Sequence, residues 1–238
     1  MKKIVLAVAV FAISTGTLSA QTIDDIVSKN LNAIGGVAKL HEVKSMIMES
    51  TIKVQSLEIE SLTTVLVGKG MRNDSKIMGH NMVQAFDGIT PWAITPIMMG
   101  GSGEPQLLSE EMAKSLINQL DPFPLLDYAK KGTRLELLRN EKAKDEDGYH
   151  LKMLPKNGAE SEIWIDVTSG LISKLKTFQN GQEVEIAFSN YTDIEGIKFA
   201  LSMETSNPMA GIITINTKTV KLNTAIDEVI FKMPIVTN

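Results

Sequence analysis

The sequence predicts a mainly β protein of the α+β class, one large curved antiparallel sheet with a few covering helices, and three observations predict it. Ile163, Ile165 and Val167 alternate with Trp164 and Asp166, Thr168-Ser169-Gly170 turns the chain, and Leu171, Ser173, Leu175 and Thr177 alternate in return. That is a hairpin with one apolar face. Val184, Ile186 and Phe188 repeat the period after Asn180-Gly181, and Ile197, Phe199, Leu201 and Met203 repeat it after Glu195-Gly196. Between Lys44 and Leu57, Met46, Met48, Ser50, Ile52 and Val54 share one side against Glu49, Thr51, Lys53 and Gln55, and a strand this long suits a curved sheet or open barrel.

At the start of the chain, Lys2 and Lys3 precede an apolar run from Ile4 to Ile13, and Leu18-Ser19-Ala20 ends in small residues before Gln21. This is the layout of a secretory signal peptide, residues 1–20, cleaved near Ala20. The run falls short of the roughly 20 apolar residues a membrane-spanning helix needs. No cysteine follows the cleavage point or occurs anywhere, so neither lipid attachment through cysteine nor a disulfide is available. The expectation is a soluble protein exported to the periplasm, one domain over residues 21–238, long enough at 218 residues to bury a core.

Thr22 and Asp25 resemble a capping box, and Ile23, Ile26, Val27, Leu31 and Ile34 form one helical face until Gly35-Gly36 stops it. Val37, Leu40 and Val43 suggest one more short turn. After the long strand, Leu62 to Lys69 reads as its continuation, Gly70 to Ser75 as another extended piece, and Asn81 to Phe86 as a strand meeting the Asp87-Gly88 turn. Trp92 and Ile94 begin the next strand, which Pro96 ends. Ser109-Glu110-Glu111-Met112 signals a helix with Leu116, Ile117 and Leu120 on the face of Met112. Pro122 and Pro124 break it, and Leu125, Leu126, Tyr128 and Ala129 suggest a second short helix ended by Gly132. Strands resume at Arg134 to Leu138, His150 to Leu154 and Glu162 onward, with Arg139 to Asp147 as a solvated hairpin tip. Ile212 to Leu222 supplies the last strand, and Ile226 to Pro234 a tail that docks Phe231, giving about ten strands in all.

The chemistry-bearing residues point away from catalysis. The net charge is −4, or −6 without Lys2 and Lys3, and no basic face gathers to meet nucleic acid. His41, His80 and His150 are the only histidines and make no metal-ligand spacing, so no metal and no cofactor are expected. Gly101-Ser102-Gly103 is not a nucleophile elbow, because Glu104 stands where a glycine is needed, and Gly68-Lys69-Gly70 is not a phosphate loop. The carboxylates sit mostly in turns, where they make no acid and base pair.

Thirteen methionines against 5% aromatic residues favour an adaptable apolar lining. Met46, Met48, Met82 and Met203 fall on inward faces, where they either line a cavity or fill an ordinary core. Met98 and Met99 adjoin Gly100-Gly101 and read as a mobile lid, a loop or a partner contact. Trp92, with Phe86 six residues before it, is favoured over Trp164 as a closure for one end, Trp164 facing outward or toward a covering helix; the alternative is that both only anchor the sheet. The candidate apolar wall is Met46, Met48, Ile52, Met82, Phe86, Trp92, Ile165, Phe199 and Met203.

Several pieces, in order, carry a resemblance. They are Ala33-Ile34-Gly35-Gly36 with Lys39-Leu40 and Val43-Lys44-Ser45, Ala85-Phe86-Asp87-Gly88 with Trp92, and Pro124-Leu125-Leu126-Asp127-Tyr128 closing on Lys131-Gly132. Later come Asp147-Gly148-Tyr149, Trp164-Ile165-Asp166 with Thr168-Ser169-Gly170-Leu171, Tyr191 with Glu195-Gly196-Ile197-Lys198-Phe199, and Phe231-Lys232-Met233-Pro234. The chain resembles the LolA/LolB-like group of exported lipoprotein carriers, in particular the outer-membrane lipoprotein-sorting proteins of Bacteroidetes-type bacteria. The resemblance implies an unclosed antiparallel barrel of about eleven strands with helices over its mouth. It further implies a monomeric carrier of lipoprotein or lipid acyl chains, served by donor and acceptor proteins at the inner and outer membranes. The alternative is a non-catalytic interaction module of the envelope with a self-filled core.

Overall fold

The computed structural model describes residues 22–139, 148–179, 182–207 and 211–235. The expected signal peptide, most of the polar tip at 139–147 and the Asn180-Gly181 turn lie outside the described residues. Helix α1 (Ile23–Ile34) begins where the sequence places it. The Thr22 hydroxyl accepts from Asp25 N, and the Asp25 carboxylate accepts from Thr22 N at 3.0 Å, a complete capping box that holds the Asp25 carboxyl below its ordinary range. Gly35 ends the helix at φ 137°, and a Cβ there would stand 2.6 Å from the Gly196 carbonyl oxygen, so only glycine lets the helix end meet the opposing turn. Helix α2 (Val37–Glu42) follows and buries Leu40.

The strands are β1 (Ser45–Val54), β2 (Leu57–Leu66), β3 (Gly70–Ile77), β4 (His80–Phe86), β5 (Pro91–Ile94), β6 (Pro105–Leu107), β7 (Arg134–Arg139), β8 (Tyr149–Leu154), β9 (Ser161–Ile165), β10 (Ile172–Gln179), β11 (Gln182–Ile194), β12 (Ile197–Asn207) and β13 (Gly211–Leu222). They form one antiparallel sheet in the order β6-β5-β4-β3-β2-β1-β13-β12-β11-β10-β9-β8-β7. Two meanders therefore meet where β1 pairs with β13, and β6 and β7 remain as edges, so the barrel is not closed. Helix α3 (Glu110–Gln119) lies in the connection between those edges, capped by Ser109, whose hydroxyl accepts from Met112 N.

Three expectations change. Leu62 to Lys69 does not continue β1: the chain reverses at Gln55-Ser56, with Gln55 at φ 54°, and β2 returns along β1 from the Val54↔Leu57 pair. Pro105–Leu107 forms a short edge strand that the glycine-rich stretch before it conceals. Residues 124–132 are successive turns rather than a second helix, because Asp127 takes φ 51° and breaks the helical path. Among the described residues the sheet accordingly has 13 strands where about ten or eleven are expected.

Alternation gives the sheet two faces of different character. On the inner face, Ile26, Leu40, Met46, Met71, Phe86 and Leu116 join Leu125, Leu151, Ile163 and Ile165 in a tightly packed core under the helices. On the other face, Val83, Ala85 and Trp92 make a small separate core with Ile94 and Met233. The tail straps this outer patch. Trp92 Nε1 donates to the Phe231 carbonyl at 2.8 Å, Arg72 lies 5.7 Å over the Trp92 ring and donates to the Ile230 carbonyl, and the Phe231 ring rests on Gly70.

Candidate functional site

The helices do not fill the whole inner face. Beyond the packed core, between the sheet on one side and α3 with residues 121–133 on the other, lies a trough of about 480 Å³. Its apolar wall comes from the middle of the sheet: Met48 and Ile52 of β1, Ile215 of β13, Met203 of β12, and Ile186 and Phe188 of β11. These side chains meet because register brings them abreast. Ile52 pairs with Ile215, Ile215 with Met203, and Met203 with Phe188, a row running across four strands. Pro124, Leu175 and Phe188 also border a second space of about 250 Å³, where Phe199 lies 6.1 Å from Phe123 between ring centroids.

Of the nine residues expected in the apolar wall, Met48, Ile52 and Met203 face the trough and Phe199 faces the adjoining space. Met46, Phe86 and Ile165 do not: they are buried in the packed core, where helices and neighbouring strands cover them. Met82 borders a separate polar groove of about 660 Å³ with Glu60, Arg72, Asp74 and Lys76. Trp92 is on the wrong face altogether. Phe86 pairs with Pro91 and Ala85 with Trp92, so the turn between β4 and β5 puts the two aromatic rings on opposite sides of the sheet. Met98 and Met99 sit in an exposed 3₁₀ turn, Ile97–Met99, and line neither the trough nor the adjoining space. Trp164 packs on the outer face, stacked on His150 at 4.0 Å with Lys174 Nζ 4.2 Å from its ring centroid.

Around the adjoining space of about 250 Å³, bonds that no sequence motif announces tie α1 and the strands together. Asn30, buried on α1, donates to the Gly170 carbonyl at 2.8 Å, and Lys29 donates to the Val167 carbonyl, tying the helix to the β9–β10 turn. That turn is held by Asp166, whose carboxylate accepts from Thr168 N and from Ser169 N and Oγ, and these bonds lower its pKa. Tyr191, beside Phe199, donates to the Ile172 carbonyl at 2.7 Å, and burial pushes its hydroxyl up to about 12. Unfolded tyrosine ionises near pH 10, so below that pH the shift has no effect on stability. As pH rises from about 10 toward 12 the unfolded chain sheds the proton first and the native state loses stability. Tyr191→Phe is expected to lose about 1 kcal/mol at pH 7 with its hydrogen bond, yet to show a shallower fall in urea midpoint across that alkaline window. Equal slopes for the two proteins contradict this.

Among the described residues, no group of three or more His, Cys, Asp or Glu gathers to hold a metal. No family model matches the chain, and no curated protein sequence matches it. Solved structures do share its fold. A domain from Vibrio parahaemolyticus described as an outer membrane lipoprotein-sorting protein has a TM-score of 0.57 at 16% identity, over 87% of this chain and 94% of that one. A LolA superfamily protein from Nitrosomonas europaea has a TM-score of 0.58 at 12% identity, over 87% and 96%. A DUF1329 family protein from Desulfovibrio piger has a TM-score of 0.57 at 14% identity, over 88% and 97%. The fold is LolA-like, an unclosed antiparallel sheet wrapped on few helices.

Proposed function

We propose that this protein is a periplasmic carrier that holds acyl chains of lipoproteins or lipids in the trough and delivers them toward the outer membrane. It acts as a monomer without catalysis, as a single domain from which residues 1–20 have been removed, and takes its cargo from and gives it to proteins at the two membranes. The observation that carries this reading is the trough itself. Its volume of about 480 Å³ falls within the range of small-molecule sites, roughly 300–1,000 Å³, and one wall is a continuous row of aliphatic, methionine and phenylalanine side chains. Sheltering a chain of about 14 carbons is worth on the order of 10 kcal/mol at ~0.8 kcal/mol per CH₂, enough to offset the cost of ordering it. Met48, Met153 and Met203 adapt to chains of different shape.

The packed core beneath α1 and α2 favours a second reading, an envelope interaction module whose helices fill its own sheet. Uptake separates the two. Protein purified from its native envelope is expected to carry acyl lipid detectable by mass spectrometry and, once delipidated, to bind a fluorescent acyl probe saturably with one site. No lipid and no saturable binding would leave the interaction module as the better account.

A further inference from the structure

The trough is not greasy throughout, and its polar side is ordered. Thr217 of β13, Ser50 of β1, Ser61 of β2 and Ser75 of β3 stand directly abreast, Thr217↔Ser50↔Ser61↔Ser75, a stripe of four hydroxyls across four adjacent strands, of which the first three line the trough and Ser75 lies just beyond it. One row along the same face, Met48 pairs with Thr63 and Thr63 with Asn73; on the other side of the stripe runs the apolar row through Ile52 and Ile215. Ser61 and Ser75 are buried, and buried hydroxyls are costly unless they find partners.

Most of the partners are internal. The Asn73 amide donates to Ser61 Oγ at 2.7 Å and to Thr63 Oγ1 at 2.8 Å, and its oxygen accepts from Ser75 Oγ at 2.8 Å. Ser50 and Thr217 share a bond of 3.0 Å. Counting hydrogens shows what is left over. Asn73 spends both amide hydrogens on Ser61 and Thr63, and Ser75 turns its own hydrogen to Asn73 and, at 3.3 Å, to Ser61, so Thr63 and Ser61 both accept and keep their own hydroxyl hydrogens. The Ser50–Thr217 pair has two hydroxyl hydrogens and uses one between them. All three spare donors border the trough, as Thr63, Ser61, Ser50 and Thr217 are in its lining. They suit a ligand that brings acceptors.

Charge decides which acceptor. Among the described lining residues the one charged side chain is Asp121, already taken by Lys131 at 2.6 Å, and there is no lysine, arginine or histidine. A carboxylate or phosphate lowered into this space would lose its water without meeting a cation. A neutral ester carbonyl would not.

We infer that this stripe is a subsite for the neutral ester end of an acylglyceryl group: the carbonyl accepts from Thr63 and from the Ser50–Thr217 pair while the hydrocarbon lies along Ile52, Ile215, Met203 and Phe188. The inference rests on the carrier reading above. It is tested by displacing a fluorescent acyl ester probe at pH 8 with 1-monododecanoylglycerol, dodecanoate, or dodecane, in the wild type, Thr63→Val and the double variant Ser50→Ala/Thr217→Val. The glyceryl ester is expected to compete at least tenfold better than dodecanoate. Each variant is expected to weaken the ester about fivefold, the effect of one lost hydrogen bond, while leaving dodecane unchanged. A synthetic diacylglyceryl-cysteine peptide in the same assay, set against free diacylglycerol, tells whether the group belongs to a lipidated protein or a lipid, and stronger competition by either fits the inference. If ester and carboxylate compete equally and the variants alter neither, the subsite is wrong and the carrier reading stands. If the probe itself does not bind, the carrier reading fails and takes the subsite with it. Thr63→Val preserves shape and β preference and costs only the one Asn73 amide partner, so as a single change it reports even where the double variant does not fold.

Discussion

Met46→Glu is expected to unfold the protein, while Met48→Glu, two residues along the same face of β1, leaves it folded and abolishes acyl uptake. Met46 is 3% exposed, pairs with Val65 and belongs to the packed core that also holds Met71, Ile26 and Leu40, so a carboxylate there either keeps its charge without water or stays neutral at a cost. Both routes exceed about 4 kcal/mol, most of the margin of a small protein. Met48 borders the trough, where a glutamate can reach water but places a charge in the path of hydrocarbon. Circular dichroism melts and probe binding on the pair check this. Cooperative melting of both variants with unchanged uptake would mean that the boundary between packed core and trough is misplaced; unfolding of both would favour a core filled from end to end.

The second large effect lies on the other face. Phe231→Ala is expected to destabilise the protein by about 3–5 kcal/mol, the usual range for removing a buried aromatic ring. Phe231 is 1% exposed, its ring covers Gly70, and its carbonyl takes the Trp92 indole hydrogen, so losing the ring frees the strap that shields Trp92. Urea titration followed by tryptophan emission should show a lower midpoint and a red-shifted native baseline. Because the strap and the trough occupy opposite faces, probe affinity measured well below the melting temperature should stay within about twofold of wild type. A large loss of affinity with intact folding would instead couple the two faces.

Much of this architecture is legible in the chain, and what is not has identifiable causes. The capping box at Thr22 and Asp25, the Ser109 cap and the two-residue alternation of β8 to β13 are local signals with local consequences, so they read correctly. The β1–β2 reversal hides because Gln55-Ser56 carries neither glycine nor proline, although Gln55 adopts a positive φ there. Tertiary pairing imposes that turn. The candidate site was harder, because alternation says which residues share a face but not which face turns inward or where the helices stop covering it. Phe86 and Trp92 are an even number of residues apart and look like partners, yet the register Phe86↔Pro91 separates them. Met46 and Met48 share a face and differ only in what lies above them. The hydroxyl stripe draws on four strands, with β13 far from the other three in sequence, so only the pairing register makes it visible.

The central claim is that hydrocarbon occupies the space between the middle of the sheet and α3. A palmitoyl ester carrying a photoactivated diazirine in mid-chain, crosslinked to the delipidated protein and mapped by peptide mass spectrometry, tests it most directly. Labelling should be saturable, competed by unlabelled ester, and concentrated on Met48, Phe188, Met203 and Ile215. Labels gathered at Trp92 or Met98, or labelling that unlabelled ester does not displace, would contradict it.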